Sequence, residues 1–380
     1  MPDRKEAVDP RASIYTEDWA DELVCRTLGL VAWELLRAGW RVQLAGIRPP
    51  DPLAIGAICG RDLRWCSSTG VGGFVAFLSN LAASLSQRAA RFLSGRLSLS
   101  FARGSDLLVC WSERIPPYCP AVRGWLIVLR VDRGEAEIQT DIEGCGLRVS
   151  DREKQRRLES WQRIFTPLEC VADEVRRRWK VEPEGLPLPL LLAPASPSMP
   201  AFAGGEILAL CGDKGERRGR CLARMAELFR DVRNAGLSGW QFRASQKGAS
   251  ADPHSAAGGD GVTGCGSIVW FRCSGGQDCG ACESPWTVCV SDLAGAMVSG
   301  AVPVVDAGPA VRELVRRCGS GFVCKSDAEM VGRTLALAGS PDLLASYSRS
   351  AREAAENLTG ARFEERIVSL IAALDRRQAA

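Results

Sequence analysis

Residues 291 to 308, SDLAGAMVSGAVPVVDAG, constrain this chain more than any other stretch, because helix-like sequence gives way to strand-like sequence across one glycine. Ser291 suits the N-cap of a short helix and Asp292 its first turn, where a carboxylate meets the positive end of the helix dipole. Gly300 is placed to stop that helix, since glycine takes the left-handed C-terminal conformation at little cost. Ala301 to Val305 is a continuous apolar run with a proline inside, which suits a short parallel strand buried on both faces. VRELVRRCGSGFV, up to Val323, then reads as a helix and a short strand. Such a unit belongs in a doubly wound sheet. There, an acid at a helix start beside a strand's carboxyl end is placed to meet a nucleotide.

At 380 residues the chain is long enough for two domains. With 24% charged and 46% hydrophobic residues it is expected to be soluble and globular rather than disordered. A net charge of +3 gives no argument for nucleic acid as a partner. Met1 to Asp9 is polar, so no secretory leader is expected, and no run approaches the roughly 20 apolar residues of a membrane span. Sixteen cysteines are scattered through apparent strands and helices, such as Cys110 in LLVC and Cys324 in GFVC. They read as reduced, buried thiols of a cytoplasmic protein rather than as a disulfide framework.

Cys273, Cys279, Cys282 and Cys289 fall within 17 residues and include one Cys-x-x-Cys. Zinc folds usually pair two such knuckles, so packing thiols are expected and no metal, with a redox pair as a further reading. His254 is the only histidine and sits among small polar residues, which leaves no base for histidine-dependent hydrolysis.

Two αβ runs flank a proline-rich segment. Domains are expected at 1–186 and 204–360, with a linker at 187–203 built on PLPLLLAPASPSMP and a last segment at 361–380. The first run reads as a helix from Glu17 to Arg37, then strands at Arg41–Gly46, Asp106–Cys110 and Trp125–Val131. A helix at Asp151–Trp161, a strand at Arg163–Thr166 and a helix at Pro167–Trp179 follow, with proline opening the last. The second run places strands at Ile207–Cys211, Trp240–Ala244 and Ser267–Cys273. Its helices are expected at Arg220–Asn234, Ala328–Ala338, Asp342–Asn357 and Arg362–Leu374.

Ala296-Met297, Gly300, Pro303-Val304-Val305, Gly308 and Glu313 stand in the order found in one known group. The stretch resembles the C-terminal half of the GT-B glycosyltransferases, in particular the retaining family 4. Ile164 to Val181, IFTPLECVADEVRRRWKV, is similar to an element of the same family's acceptor half. The resemblance implies an α/β, GT-B architecture of two Rossmann-like domains whose parallel sheets face a central cleft. It implies an N-terminal acceptor domain, a C-terminal nucleotide-sugar domain, and a last helix that crosses back. It further implies a nucleoside-diphosphate sugar donor, retention of configuration, no metal or other cofactor, and work in the cytoplasm, including at the inner face of the membrane.

Sugar transfer needs the leaving diphosphate neutralised, the ribose held and the sugar oriented. For the diphosphate, Lys214 and Arg218 lie in the turn Gly212 to Gly219 between a strand and a helix; the family's two cations occur there in the opposite order. For the sugar and ribose, the family uses two glutamates; Glu283 is the one glutamate near the right place, with Ser291 and Asp292 downstream. Ser284 to Val288 reads as a loop meeting sugar and phosphates, with Trp286 placed to stack, and Gly308 opens the next helix. In the first half, Glu113 follows a strand where the family often has histidine, and Glu17-Asp18-Trp19-Ala20 replaces the family's Gly-Gly loop. Leu85 to Arg103 alternates basic and apolar residues, and both a peripheral membrane contact and a surface helix fit it.

The expected activity is transfer of a sugar to a glycan, lipid or small-molecule acceptor. A catalytically silent GT-B homologue that binds a sugar, a nucleotide or a partner protein is the alternative. An epimerase on the same scaffold would want more carboxylates and a histidine in its cleft.

Overall fold

The computed structural model describes residues 9–17, 19–71, 99–128, 131, 151–187, 189, 205–211, 215–244, 267–272, 286–356, 358 and 360–376. The chain divides into two compact units, Met1–Pro189 with Ala361–Ala380, and Leu190–Gly360.

In the first unit the described strands are β1 (Arg11–Tyr15), β2 (Arg41–Gly46), β3 (Ser67–Gly70), β4 (Leu107–Trp111), β5 (Arg123–Ile127), β6 (Arg163–Thr166) and β7 (Glu184–Gly185). They form one sheet in the order β3-β2-β1-β4-β5-β6-β7. All pairings are parallel. The helices are α1 (Glu22–Arg37), α2 (Pro52–Cys59), α3 (Asp151–Glu159) and α4 (Glu169–Trp179). β1 has no counterpart in the sequence reading. RASIY is only five residues long and lies between β2 and β4, so Ala12 to Tyr15 are buried on both faces without an alternating pattern.

α1 starts five residues later than its expected start at Glu17. Asp21 is its N-cap, with Oδ1 accepting from Leu23 N at 2.9 Å and Val24 N at 3.0 Å. Trp19 is therefore not helical. Its indole Nε1 donates to Ala45 O at 2.8 Å and lies over Gly46, where an added Cβ would stand 2.6 Å from Trp19 Cδ1. Pro167 likewise falls outside α4, whose N-cap is Leu168.

The second unit holds β8 (Glu206–Cys211), β9 (Gln241–Ala244), β10 (Ser267–Arg272), β11 (Val302–Asp306) and β12 (Phe322–Val323). The sheet order is β12-β11-β10-β8-β9, again with parallel pairings throughout. Its helices are α5 (Gly215–Asn234), α6 (Trp286–Val298), α7 (Pro309–Cys318), α8 (Asp327–Ala338) and α9 (Pro341–Glu356). Trp270, Ile268, Val302, Val304, Met225 and Leu337 anchor its core. Gly300 does end the helix, at φ +88°, with its N–H on Met297 O at 2.8 Å.

α6 corrects the reading of Ser291 as an N-cap and of Asp292 as a first-turn acid. The helix begins at Trp286, so both lie inside it. Val290, Leu293, Ala294 and Met297 are fully buried at spacings of three, four and seven residues, so the apolar stripe begins ahead of Ser291. For the same reason residues 286–288 are helical rather than loop.

The last helix, α10 (Gly360–Arg376), belongs to the first unit apart from its first residue. Phe363, Ile367, Leu370, Ile371 and Leu374 form its buried stripe. Glu364 pairs with Arg61 at 2.6 Å, Arg366 with Glu184 at 3.3 Å, and Leu374 O accepts from Arg123 Nη1 at 3.2 Å. Among the described residues no helix is long and apolar enough to cross a membrane.

Candidate functional site

An open α/β sheet binds ligands outside the carboxyl ends of its strands, where the strand order reverses. In the second unit that point lies between β8 and β10, because β9 flanks β8 on one side and β10 on the other. Here β8 ends at Cys211, and α5 starts at Gly215. Arg218 is thus in the first turn of a helix, not in an eight-residue basic turn, and is half-buried. β10 ends at Arg272 and β11 at Asp306.

Arg272 is held at the sheet edge by two carboxylates. Its Nη1 lies 2.6 Å from Asp327 Oδ1 and its Nη2 3.7 Å from Asp306 Oδ2. Asp327 also accepts from Arg224, Nη2 at 2.9 Å and Nε at 3.1 Å. Asp306 reaches Arg312 Nη2 at 3.7 Å, while the buried Arg312 Nε has no hydrogen-bond partner among the described residues. Burial works against the Asp327 carboxylate, but its bond to Arg224 and the charge of Arg272 outweigh it and hold the group below the ordinary aspartate range. Burial pushes the nearby Cys324 thiol up to about 12, with Glu329 and Asp306 adding to it, so this is not a reactive thiol.

Gly308 is the N-cap of α7, with Pro309 behind it, and this helix opens directly after β11. Its first-turn N–H groups and its dipole favour an anion at that end. Lys214, Glu283, Ser284, His254, Cys273, Cys279 and Cys282, most of the proline-rich segment and residues 85–98 lie outside the described residues. The side chains of Trp286, Cys289, Ser291 and Asp292 do so as well.

In the first unit the order reverses between β1 and β4, since β2 and β3 lie to one side and β5 to β7 to the other. Tyr15 pairs with Cys110 at this end of the register. Glu17 follows β1; Ser112, Glu113 and Arg114 follow β4. The Ser112 hydroxyl donates to Arg114 O at 2.8 Å and accepts from Arg114 N at 3.2 Å, which fixes the turn that carries the half-buried Glu113.

Arg272, Asp306 and Arg312 were not singled out from sequence, and Glu17 only as part of the stretch that replaces the family's Gly-Gly loop. The usable signal was a charged residue directly after a buried strand: SIVWFR ends in arginine, VPVVD in aspartate, and RASIY is followed at one remove by glutamate.

Two units of parallel sheet, each with helices on its faces and a reversal point at its carboxyl edge, give the chain the GT-B fold of glycosyltransferases. It is similar to the crystal structure of a glycosyltransferase from Rickettsia africae ESF-5 over 96% of this chain and 98% of that one, at 10% identity and a TM-score of 0.51. Weaker likenesses are to WaaG, a glycosyltransferase involved in lipopolysaccharide biosynthesis, with 13% identity, 95% and 99% covered and a TM-score of 0.48. SnogD from Streptomyces nogalater follows with 15% identity, 97% and 100% covered and a TM-score of 0.44. At such identities the likeness is one of fold. No protein-family model matches the chain, and no curated protein does.

Proposed function

We propose that the chain is a glycosyltransferase whose second unit binds a nucleoside-diphosphate sugar. The supporting observation is the cationic carboxyl edge of the second sheet. Arg272 ends β10, Arg218 lies in the first turn after β8, and α7 opens at Gly308 after β11. Arg272 is clamped between Asp306 and Asp327, so it is oriented before a ligand arrives and needs little reorganisation as charge develops. Lys214 adds a cation in the same connection. As the bond between the anomeric carbon and the diphosphate breaks, its electron pair leaves on the phosphate oxygen, and these groups neutralise that charge. Asp292 serves the ribose in this reading, Glu283, Ser284 and Trp286 the sugar. Retention and metal independence come with the family-4 resemblance.

The test is donor turnover and nucleotide binding by wild type, Lys214→Ala, Arg218→Ala and Asp292→Ala. Loss of Lys214 or Arg218 is expected to lower turnover about 10²- to 10³-fold, more than it weakens donor binding. Asp292→Ala is expected mainly to weaken nucleotide binding. Failure of all nucleoside diphosphates and their sugars to stabilise wild type against heat would sink the proposal. Binding without turnover would favour the silent homologue.

A further inference from the structure

Five charged side chains cross the carboxyl edge of the second sheet with alternating sign: Arg224 on α5, Asp327 opening α8, Arg272 ending β10, Asp306 ending β11 and Arg312 on α7. The contacts are unequal. Asp327 gives one carboxylate oxygen to each neighbour. Its Oδ2 accepts the fork of Arg224, Nη2 at 2.9 Å and Nε at 3.1 Å, and its Oδ1 lies 2.6 Å from Arg272 Nη1. Asp306 stands 3.7 Å from Arg272, beyond hydrogen-bond reach. The attitude of the Arg272 guanidinium is therefore set by Asp327.

Asp327 is itself held on both sides. Ser326 is the N-cap of α8, its Oγ accepting from Glu329 N at 3.2 Å, and Glu329 Oε2 accepts from Lys325 N at 2.9 Å. These caps fix the backbone at the first residue of the helix, and the Arg224 fork fixes the side chain. The backbone of Arg272 lies inside the sheet, in register with Cys211 on one side and Asp306 on the other. A guanidinium held in this way loses little freedom when it meets a phosphate. The charge of the same carboxylate acts in the opposite sense, since a negative group beside an anion site repels the anion.

We propose that Asp327 is a positioning residue for the donor diphosphate, acting through Arg272, with Arg224 holding Asp327 in turn. The inference rests on the reading that the second unit binds a nucleoside-diphosphate sugar. Arg272 meets the phosphate, and Asp327 does not touch it. Orientation outweighs repulsion because the Asp327 charge is shared between two guanidiniums and reaches the anion largely neutralised, whereas a bidentate contact is lost when the Arg272 fork turns away. The two effects differ in sign. Asp327→Asn makes the edge more positive by one charge and nevertheless weakens anion binding. With Arg272 removed, the same replacement acts through charge alone and does not weaken it.

The test is titration calorimetry on the full chain at neutral pH and constant ionic strength, with inorganic pyrophosphate and the uridine, thymidine, guanosine and adenosine diphosphates as probes. The chains compared are wild type, Asp327→Asn, Asp327→Glu, Arg272→Ala, the Asp327→Asn/Arg272→Ala double variant and Arg224→Lys. Arg272→Ala is expected to weaken binding about tenfold or more, and Asp327→Asn about tenfold in spite of the added positive charge. In the Arg272→Ala background Asp327→Asn should cause no further loss, a change of sense across the cycle that a merely structural carboxylate does not give. Asp327→Glu should recover part of the affinity. Arg224→Lys keeps every charge but loses the fork, and it should weaken binding in the same direction; it carries the test if circular dichroism shows the asparagine variant unfolded. Binding by Asp327→Asn at or above wild-type affinity, or an equal loss with and without Arg272, overturns the positioning role and leaves the donor reading standing. An Arg272→Ala chain that binds like wild type does the same. Failure of wild type to bind pyrophosphate and every nucleoside diphosphate sinks the donor reading itself, and the positioning role with it.

Discussion

A charge at the end of a buried strand is costly unless it is paired, and that cost organises the edge of the second sheet. Asp327 serves both Arg224 and Arg272, so Asp327→Asn leaves Arg272 with Asp306 alone, at 3.7 Å. The variant is expected to lose about 1 kcal/mol at neutral pH in urea unfolding. The folded-state pKa of Asp327 is depressed, so its contribution is present above the ordinary aspartate range and fades as pH falls through the lowered value. The gap between wild type and Asp327→Asn should therefore close at acid pH; a constant gap would mean that packing, not charge, is responsible. A second residue shows a buried bond with no spare partner. Trp270 is fully buried, and its Nε1 donates to Thr334 Oγ1 at 2.8 Å, which in turn donates to Met330 O at 2.8 Å. Thr334→Val strands the indole N–H, and a loss of about 1–3 kcal/mol is expected in the same measurement. Neither arrangement was legible in sequence. An arginine after SIVWF names a charge at an edge, but its partners come from elsewhere in the chain, Asp306 at the end of β11 and Asp327 at the start of α8.

At the scale of elements, local signals fared well where they were chemical and less well where they relied on pattern alone. Gly300 carried a backbone requirement, and it takes φ +88° where the sequence reading put the end of a helix. Helix starts were harder. Ser291 has the right chemistry for a cap, but an apolar stripe already running through Val290 carries the helix past it. At α1, Asp21 outcompetes Glu17 because its shorter carboxylate reaches two backbone N–H groups at once. β1 was missed because a strand buried on both faces has no alternation to read. One helix end conflicts with its sequence. Lys180, after α4, sits at φ 57°, where a Cβ is strained and glycine is not. Lys180→Gly relieves that strain but loosens the unfolded chain, and a net gain of about 0.5–1 kcal/mol is expected. A loss in thermal or urea unfolding would mean that the lysine side chain contributes more than its backbone costs.

At the scale of the whole molecule, the order of elements was legible because each αβ run repeats one physical pattern, a buried apolar strand followed by an amphipathic helix. Where each sheet reverses was not, because it depends on the order in which strands from distant parts of the chain pair. α10 tests how far the division into two units is energetic as well as geometric. Its five buried side chains, Phe363, Ile367, Leu370, Ile371 and Leu374, are each worth about 1.5–3 kcal/mol of burial. Together they rival the roughly 5–15 kcal/mol by which a whole domain is usually stable. They are contributed to a unit whose other described residues end at Pro189, so covalent continuity does not place them there; packing does. A chain lacking residues 361–380 should therefore lose the first unit while keeping the second. Hydrogen exchange reads this residue by residue. Protection is expected to vanish from β1, β2 and α1 and to persist in β8, β10 and β11. A nucleoside diphosphate that stabilises the full chain should still slow exchange at Arg272 and Asp306 in the truncated one, since that edge is built within the second unit. Unchanged protection of β1 would show that α10 covers the first unit without holding it together. Loss of protection in both sheets at once would show that the two units fold as one.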